Sequence, residues 1–207
     1  MAEDFCFWDL RRTAWSLSRR ARTQNPLPPL LMFTDPARTP DPVAAAAALP
    51  PGAAVIYRPF GDPQAPAVAR DLRRVTRARR IKLMIGADIA LALAVGADGV
   101  HLPERQAHRA RALRLAHPQW IVTAAAHSLP AARRGLALGA QAVVVSVVFP
   151  SRSPSAGRPM GARGLAVLAR AAGGPVYGLG GINTKNARRL LASGVVGLAA
   201  VEGLSPG

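Results

Sequence analysis

The stretch Gly178-Leu-Gly-Gly-Ile-Asn-Thr-Lys-Asn186 decides between two folds for this chain. It lies where the seventh of eight short apolar runs ends and a segment with helical spacing begins. An open doubly wound sheet normally places its glycine-rich loop after the first strand, where this chain has Thr34-Asp-Pro-Ala and no glycine. A (β/α)8 barrel commonly uses the loops after strands seven and eight instead. The position of the glycine pair therefore favours the barrel.

Short apolar runs alternate with segments of helical spacing along most of the chain, which predicts βαβ units and a parallel sheet. Three joints repeat one pattern, in which a helix ends at a glycine and a strand begins within about three residues; they begin at Ala94, Ala137 and Ala192. The predicted helices after the lead-in cover about 41–48, 64–79, 88–95, 105–116, 129–138, 161–172 and 183–193. The predicted strands are Leu30-Phe33, Ala54-Tyr57, Lys82-Ile85, Gly99-Leu102, Trp120-Ala124, Ala142-Val147, Val176-Leu179 and Val196-Val201.

The predicted fold is α/β, a single (β/α)8 TIM barrel over residues 26–207, preceded by an amphipathic lead-in helix over residues 1–25. The chain has 207 residues, slightly fewer than the roughly 250 typical of this fold. Only six residues follow Val201, so the last outer helix is expected to be missing or truncated. The lead-in helix is expected to cap the barrel floor. Either this helix or the partner subunit of a homodimer is expected to cover the gap that the missing last helix leaves.

The composition argues against several classes of partner. The formal net charge of +16 comes almost entirely from arginines spread along amphipathic helices, while aromatic residues are few and nucleic-acid-binding motifs are absent from the sequence. We therefore expect no nucleic-acid partner. Apolar runs fall short of the roughly 20 residues that cross a bilayer, and a signal-peptide pattern is lacking, so a cytoplasmic protein without membrane contact is expected. Cys6 is the only cysteine, which excludes a disulfide framework or a cysteine-based zinc site within one chain.

The glycine pair and the end of the eighth strand are predicted to hold phosphate. Gly180 and Gly181 would let a phosphate approach backbone N–H groups, and a helix capped by Asn183 or Thr184 would supply further donors. Val201 and Glu202, at the end of the eighth strand, would form the opposite side of this phosphate site. The alternative is a tight turn that needs glycine only for its backbone conformation.

Two histidines are candidates for chemistry. His127 follows the fifth strand, on the face where barrel enzymes carry their active sites, and histidine transfers protons near neutral pH. Its alternative role is to cap the next helix beside Ser128. His101 lies within the fourth strand and would face either the barrel core or the mouth of the site.

Anion-binding candidates follow two other strands. Arg58 comes directly after the second strand, which suits recognition of a phosphate or carboxylate, although a rim ion pair is an equal alternative. Ser151, Arg152 and Ser153 lie in a long polar loop after the sixth strand that would close over a substrate. The alternative for this loop is a disordered linker.

Three stretches together resemble the thiamine phosphate synthase/TenI family in order and spacing, from about residue 28 to 204. They are Ala90-Leu-Ala-Leu-Ala-Val-Gly-Ala-Asp-Gly-Val-His-Leu102, Val148-Phe-Pro-Ser-Arg-Ser153 and Tyr177-Gly-Leu-Gly-Gly-Ile182. The resemblance implies a (β/α)8 barrel that takes part in thiamine biosynthesis. Synthase members join a hydroxymethylpyrimidine pyrophosphate to a thiazole phosphate with magnesium. TenI-type members bind thiazole phosphate and tautomerise it.

The chain departs from the synthase pattern where the family binds magnesium. The Asn-Asp pair expected after the third strand corresponds to Gly86 and Ala87, and the second magnesium aspartate corresponds to Gln106. Asp88 and Glu104 are weak substitutes, because hard cations need several oxygen ligands. No metal site and no cofactor are therefore expected, unless the chain is a synthase that uses magnesium.

The pyrophosphate-binding positions are changed too. The Arg-Glu-Lys motif of the family reads Arg58-Pro-Phe60 here, and the lysine of its pyrophosphate loop is Pro154. What the resemblance retains is the thiazole-phosphate cradle at the glycine pair and the end of strand eight, with Ser151 and Ser153 in place of threonines. It also implies that His127 is the acid and base of tautomerisation. Glu202 occupies a position that is usually serine, and its charge would repel phosphate.

Three hypotheses follow for the function. The first is a TenI-like protein that binds thiazole phosphate, or a similar small phosphate, and tautomerises it with His127 without a metal ion. The second is a thiamine phosphate synthase with a rearranged magnesium site at Asp88 and Glu104. The third is a barrel that binds a ligand without catalysis.

Overall fold

The computed structural model describes residues 2–21, 23, 26–151 and 157–201, with side chains from Leu10 onward. Eight parallel strands form a closed barrel in which each strand pairs with the next and the eighth pairs with the first. The predicted (β/α)8 barrel is therefore confirmed. The strands are β1 (Leu30–Phe33), β2 (Ala54–Tyr57), β3 (Lys82–Gly86), β4 (Gly99–Leu102), β5 (Ile121–Ala126), β6 (Ala142–Ser146), β7 (Val176–Leu179) and β8 (Gly197–Ala200).

The outer helices follow the predicted ones with small shifts at their ends. One predicted helix, 105–116, is a 3-10 helix over Glu104–Arg109 followed by an α-helix. None of the described helices is long and apolar enough to cross a membrane. The α-helices are α1 (Ala2–Ala21), α2 (Pro42–Ala47), α3 (Ala65–Arg79), α4 (Ile89–Ala94), α5 (Ala110–Ala116), α6 (Leu129–Ala137) and α7 (Gly161–Ala171).

The predicted helix over 183–193 is wrong in type and length. Its place is taken by a 3-10 helix over Ala187–Leu190, capped by Asn186 and not by Asn183 or Thr184. The physical reason lies in two asparagine side chains that bond to backbone N–H groups within the preceding turn. Asn186 Oδ1 accepts from the N–H of Asn183 at 2.9 Å, and Asn183 Oδ1 accepts from the N–H of Lys185 at 2.9 Å.

Alternate strand residues form two apolar layers. Leu31, Phe33 and their equivalents fill the barrel interior, while Leu30, Met32 and their equivalents pack beneath the outer helices. Because side chains fill the interior, the barrel is a packed core and ligands can enter only at its ends. Tyr177 lies in this core, and its hydroxyl donates to the carbonyl oxygen of Pro28 at 2.7 Å.

Helix α1 packs against the outside of the barrel. It contacts β1, β8 and the 3-10 helix over Ala187–Leu190, and it buries Leu10, Ala14 and Leu17 in the outer apolar layer. The guanidinium of Arg20 donates to the carbonyl oxygen of Leu191 at 3.0 Å. Helix α1 thus covers the junction of the first and last strands. The sequence alone leaves open whether this helix or a partner subunit does so. The last residue of α1, Ala21, packs against the interior cluster beside Leu27, so the helix reaches the floor too. The expectation of a missing last outer helix concerns residues 202–207, outside the described ranges.

Candidate active site

A cavity of about 770 Å³ opens at the carboxyl ends of the strands. This is the end of the barrel where barrel enzymes carry their chemistry. Each strand, or the residue directly after it, contributes to the wall: Phe33, Arg58, Gly86, His101, Ala125, Val144, Leu179 and Val201. The closed barrel therefore brings most of the predicted site residues to one place.

A second cavity of about 320 Å³ lies beside the first, between the ends of β7 and β8. Gly180, Ser151 and Val201 border both cavities, whereas Gly181 borders only the smaller one. The glycine pair Gly180 and Gly181, where the sequence predicts phosphate binding, therefore lies at the edge of a cavity. Glu202 and Ser153, which the sequence also placed in the site, lie outside the described residues, as does Arg152.

The glycine turn needs its glycines for space as well as for backbone conformation. Gly180 and Gly181 have φ angles of +98° and +63°. A Cβ atom on Gly180 would lie 2.5 Å from Cγ2 of Val147, and one on Gly181 would collide with the carbonyl oxygen of Pro150. Within the described part of the chain, the backbone N–H groups of Gly181 and Ile182 have no acceptor. The turn thus satisfies the purely conformational alternative, and it also offers two donors beside the smaller cavity.

His127 lies at the end of β5, where its ring is held by the neighbouring strand. Its Nδ1 is 3.1 Å from the hydroxyl oxygen of Ser146 and 3.3 Å from the carbonyl oxygen of that residue. A protonated Nδ1 can donate to this carbonyl, which leaves Nε2 as the basic nitrogen of the neutral ring. The alternative role as a helix cap is filled by Ser128, whose hydroxyl oxygen accepts from the N–H of Ala131.

His101 is buried at the base of the larger cavity, so it belongs to both the core and the site wall. Its Nδ1 lies 2.9 Å from the hydroxyl oxygen of Thr123, and its ring packs edge-on against Phe33 with the centroids 4.9 Å apart. Burial, with a smaller contribution from the charge of Arg58, lowers the pKa of His101 from 6.5 to about 3. The imidazole is therefore neutral near pH 7 and serves as a polar wall, not as a cation.

Arg58 is both a cavity residue and a member of a rim ion pair. Its Nε donates to the carbonyl oxygen of Thr34 at 2.7 Å, and its Nη2 lies 3.4 Å from Oδ2 of Asp35. The guanidinium carbon also lies 5.5 Å from the ring centroid of Phe33 and 5.0 Å from that of Phe60. Burial lowers the pKa of Arg58, opposed by Asp35, but an arginine remains charged at neutral pH.

Arg38 is a site residue that the sequence did not reveal. It follows β1 in a loop with no recognised motif, yet it borders both cavities. Its Nη2 lies 2.9 Å from Oδ2 of Asp35, and this hydrogen bond is the largest cause of the lowered pKa of Asp35. No sequence pattern marks Arg38, because its loop meets the end of β8 only when the barrel closes.

The candidate metal ligands have other partners. The Asp88 carboxylate caps α4 by accepting from the N–H of Leu91 at 2.8 Å, and Glu104 pairs with Arg134 at 2.8 Å away from the cavity wall. Among the residues that the structure describes, no cluster of three histidine, cysteine, aspartate or glutamate side chains could hold a metal. Magnesium prefers several oxygen ligands, so the donor set does not fit the magnesium site that the synthase resemblance implies.

The fold and the site define a class of protein: a (β/α)8 barrel with a ligand-sized cavity at the carboxyl ends of its strands and a smaller one beside it. Comparison with known families then identifies the particular one. The family model described as thiamine monophosphate synthase matches residues 31–204, and the chain belongs to this family.

Individual relatives agree with the family. A thiamine-phosphate synthase of Anaeromyxobacter dehalogenans is 36% identical over 168 residues, covering 78% of this chain and 75% of that protein. One from a Roseiflexus species is 34% identical over 137 residues, covering 66% of this chain and only 58% of that protein. Among solved structures, a thiamine phosphate pyrophosphorylase from Pyrococcus furiosus has a TM-score of 0.71 at 30% identity, with 83% of this chain and 84% of that chain covered.

Proposed function

We propose that this protein binds thiazole phosphate, or a similar small phosphate, and moves a proton on the thiazole ring with His127, without a metal ion. The observation that carries the proposal is the orientation of His127. Its Nδ1 is engaged by Ser146 while its ring borders the larger cavity, beside the glycine turn. A histidine fixed in this way can present Nε2 to a ligand whose phosphate lies at the turn.

The phosphate end of the proposed ligand would lie in the smaller cavity. Gly181, Ile182 and Ser151 line that cavity, and the N–H groups of Gly181 and Ile182 have no acceptor among the described residues. Backbone donors in a turn with positive φ angles form an anion-binding concavity. The ring end would extend into the larger cavity, where the neutral His101 and the side chain of His127 form part of the wall.

The main requirement of tautomerisation is one correctly placed base. A proton leaves one position of the bound ligand for Nε2 of His127 and returns from that nitrogen to another position of the same ligand. The net reaction therefore consumes no co-reactant, and the histidine ends in its starting protonation state. An imidazole can both accept and return a proton, so it is suited to both halves of such a transfer.

The second candidate is the coupling reaction after which the relatives are named. It would need a group that neutralises the pyrophosphate leaving group. The two aspartates that the resemblance assigns to magnesium correspond to Ala87 and Gln106, and Asp88 is engaged as a helix cap. This arrangement favours tautomerisation or simple binding over metal-dependent coupling.

The deciding experiment follows exchange of the thiazole ring proton with solvent. The purified chain, treated with EDTA, is incubated with thiazole phosphate in D₂O and monitored by proton NMR. We expect exchange that is lost in His127→Ala and retained in His108→Ala, a matched control at an exposed histidine. Exchange that survives His127→Ala would contradict the proposed role.

Two further outcomes separate the alternatives. Formation of thiamine phosphate and pyrophosphate, after addition of hydroxymethylpyrimidine pyrophosphate and magnesium, would favour the synthase. Thermal stabilisation by thiazole phosphate without any exchange would favour a barrel that only binds its ligand.

A further inference from the structure

We propose that Arg38 is the residue that binds the phosphate charge of the ligand, and that Asp35 positions it. The proposal rests on the proposed function, because it concerns the phosphate end of the same site. Among the described residues that border the smaller cavity, Arg38 alone carries a charge. It also borders the larger cavity, so Arg38 is shared by the linings of both cavities.

The glycine turn by itself is a weak anion site. It offers the N–H groups of Gly181 and Ile182, and the short 3-10 helix that follows adds no α-helix dipole. A phosphate monoester carries between one and two negative charges at neutral pH, so partial charges on two amides leave most of it without a counter-ion. A guanidinium across the cavity would supply both the missing charge and a planar pair of donors suited to phosphate.

The loop after β1 holds Arg38 in place. The backbone N–H groups of Arg38 and Thr39 donate to the carbonyl oxygen of Asp35 at 3.1 and 2.7 Å, which makes a tight turn. The Asp35 carboxylate accepts from the N–H of Ala37 at 3.2 Å and pairs with the Arg38 guanidinium. Since a guanidinium has five N–H donors, this ion pair is compatible with simultaneous contact to a phosphate.

Partial burial strengthens the charge interactions of Arg38 and Asp35. The side chain of Arg38 is only 21% exposed, and that of Asp35 is 20% exposed. Charged groups so far removed from water interact more strongly than on an open surface. Asp35 also contacts Arg58, so a single carboxylate pairs with one arginine that borders both cavities and with another that borders only the larger one.

The location distinguishes Arg38 from the other arginines of the site. Arg58 and Arg109 border the larger cavity only. If long-range attraction alone mattered, removal of any of the three charges would weaken phosphate binding to a similar degree. If Arg38 contacts the phosphate, its loss alone should erase the preference for phosphorylated ligands.

The test measures affinity by calorimetry for three probes: inorganic phosphate, thiazole phosphate and the corresponding unphosphorylated thiazole alcohol. In Arg38→Met we expect affinity for both phosphate probes to fall about tenfold or more, since hydrogen bonds to charged groups are strong. Affinity for the alcohol should stay unchanged. Arg38→Lys should retain part of the affinity, and Arg109→Met, the matched loss of one charge, should change it less than about threefold. Equal unfolding temperatures would show that the variants fold.

The outcomes separate this proposal from the function it rests on. If the wild-type chain binds inorganic phosphate and Arg38→Met does not, the role of Arg38 stands even where no proton exchange on thiazole phosphate is seen. If wild type and Arg38→Met bind phosphate equally, or if the wild-type chain binds no phosphate, the proposal is overturned. Asp35→Asn should weaken phosphate binding less than Arg38→Met and leave the affinity for the alcohol unchanged; a change in alcohol affinity instead would argue for a merely structural role.

Discussion

Ser146 and His127 meet at the ends of adjacent strands, with the Ser146 hydroxyl oxygen 3.1 Å and its carbonyl oxygen 3.3 Å from Nδ1 of His127. The two residues are 19 positions apart, and pairing of β5 with β6 brings them together. The orientation of the imidazole is therefore set by the barrel itself and not by the loop in which His127 lies.

Ser146→Ala should slow the proposed proton transfer without abolishing it. The substitution removes the hydroxyl but leaves the carbonyl oxygen to orient Nδ1, so we expect a loss of about 1 kcal/mol, or roughly three- to tenfold in kcat. The KM for thiazole phosphate should change little, because Ser146 is not part of the proposed phosphate end. The exchange assay in D₂O measures both quantities. A loss as complete as that of His127→Ala would mean that Ser146 itself contacts the reacting atoms.

His101 should make the stability of the fold depend on pH. Its pKa is about 3 in the folded chain against 6.5 ordinarily, so between these values the unfolded state binds a proton that the folded state does not. Stability is thus lost as the pH falls below about 6.5, by at most about 1.4 kcal/mol per pH unit. Urea unfolding of wild type and His101→Asn from pH 7 to 4 measures the difference in slope, with His108→Asn as the control. Parallel curves for wild type and His101→Asn would contradict the buried neutral histidine.

Gly181→Ala should destabilise the chain more than the same change at another glycine with a positive φ. Gly173 also has a positive φ, +82°, but a Cβ atom there meets nothing within 4 Å. We expect about 1 kcal/mol for Gly173→Ala and about 3 kcal/mol for Gly181→Ala, because the latter adds collisions with the 149–150 backbone. Chemical denaturation compares the two free energies of unfolding. Equal losses would show that a Cβ atom at position 181 does not collide with the 149–150 backbone.

Leu17→Ala should reveal how much α1 contributes to the barrel. Leu17 is 1% exposed in the outer apolar layer, so its truncation should cost about 2–5 kcal/mol. Leu115→Ala is the matched control, since that side chain is 77% exposed and its loss should change stability by no more than about 0.5 kcal/mol. Thermal and urea unfolding measure both variants. A small effect at Leu17 would mean that the barrel is stable without α1.

The strands were predictable because their signals are local. Each is a short apolar run bounded by turn residues, and the repeated glycine joints fix where a helix must end. The prediction of a helix over 183–193 relied on the same kind of local signal, and it was wrong. Its apolar spacing is helical, but the side chains of Asn183 and Asn186 bond to backbone N–H groups within a turn, and only one short 3-10 helix follows.

The site was most readily predictable where a residue follows a strand directly. His127, Arg58 and the glycine pair do so, and strand order alone places them at one end of the barrel. Arg38 lies several residues beyond β1, and its position beside the β7 turn depends on the closure of β8 against β1. Nor could the sequence decide whether His101 faces the core or the mouth, because a residue near the end of a barrel strand can belong to both.

The contact between α1 and the last strand has a consequence during translation. Arg20 and Leu191 are separated by 171 residues, and the apolar face of α1 is covered by β8 and the segment before it. A ribosome completes α1 long before it makes β8, so the part of this face that β8 and the 3-10 helix cover stays exposed while the intervening strands are synthesised. Helix α1 thus precedes its neighbours β8 and the 3-10 helix by most of the barrel, and a chaperone that recognises exposed apolar helices would have the synthesis of the intervening strands in which to bind it.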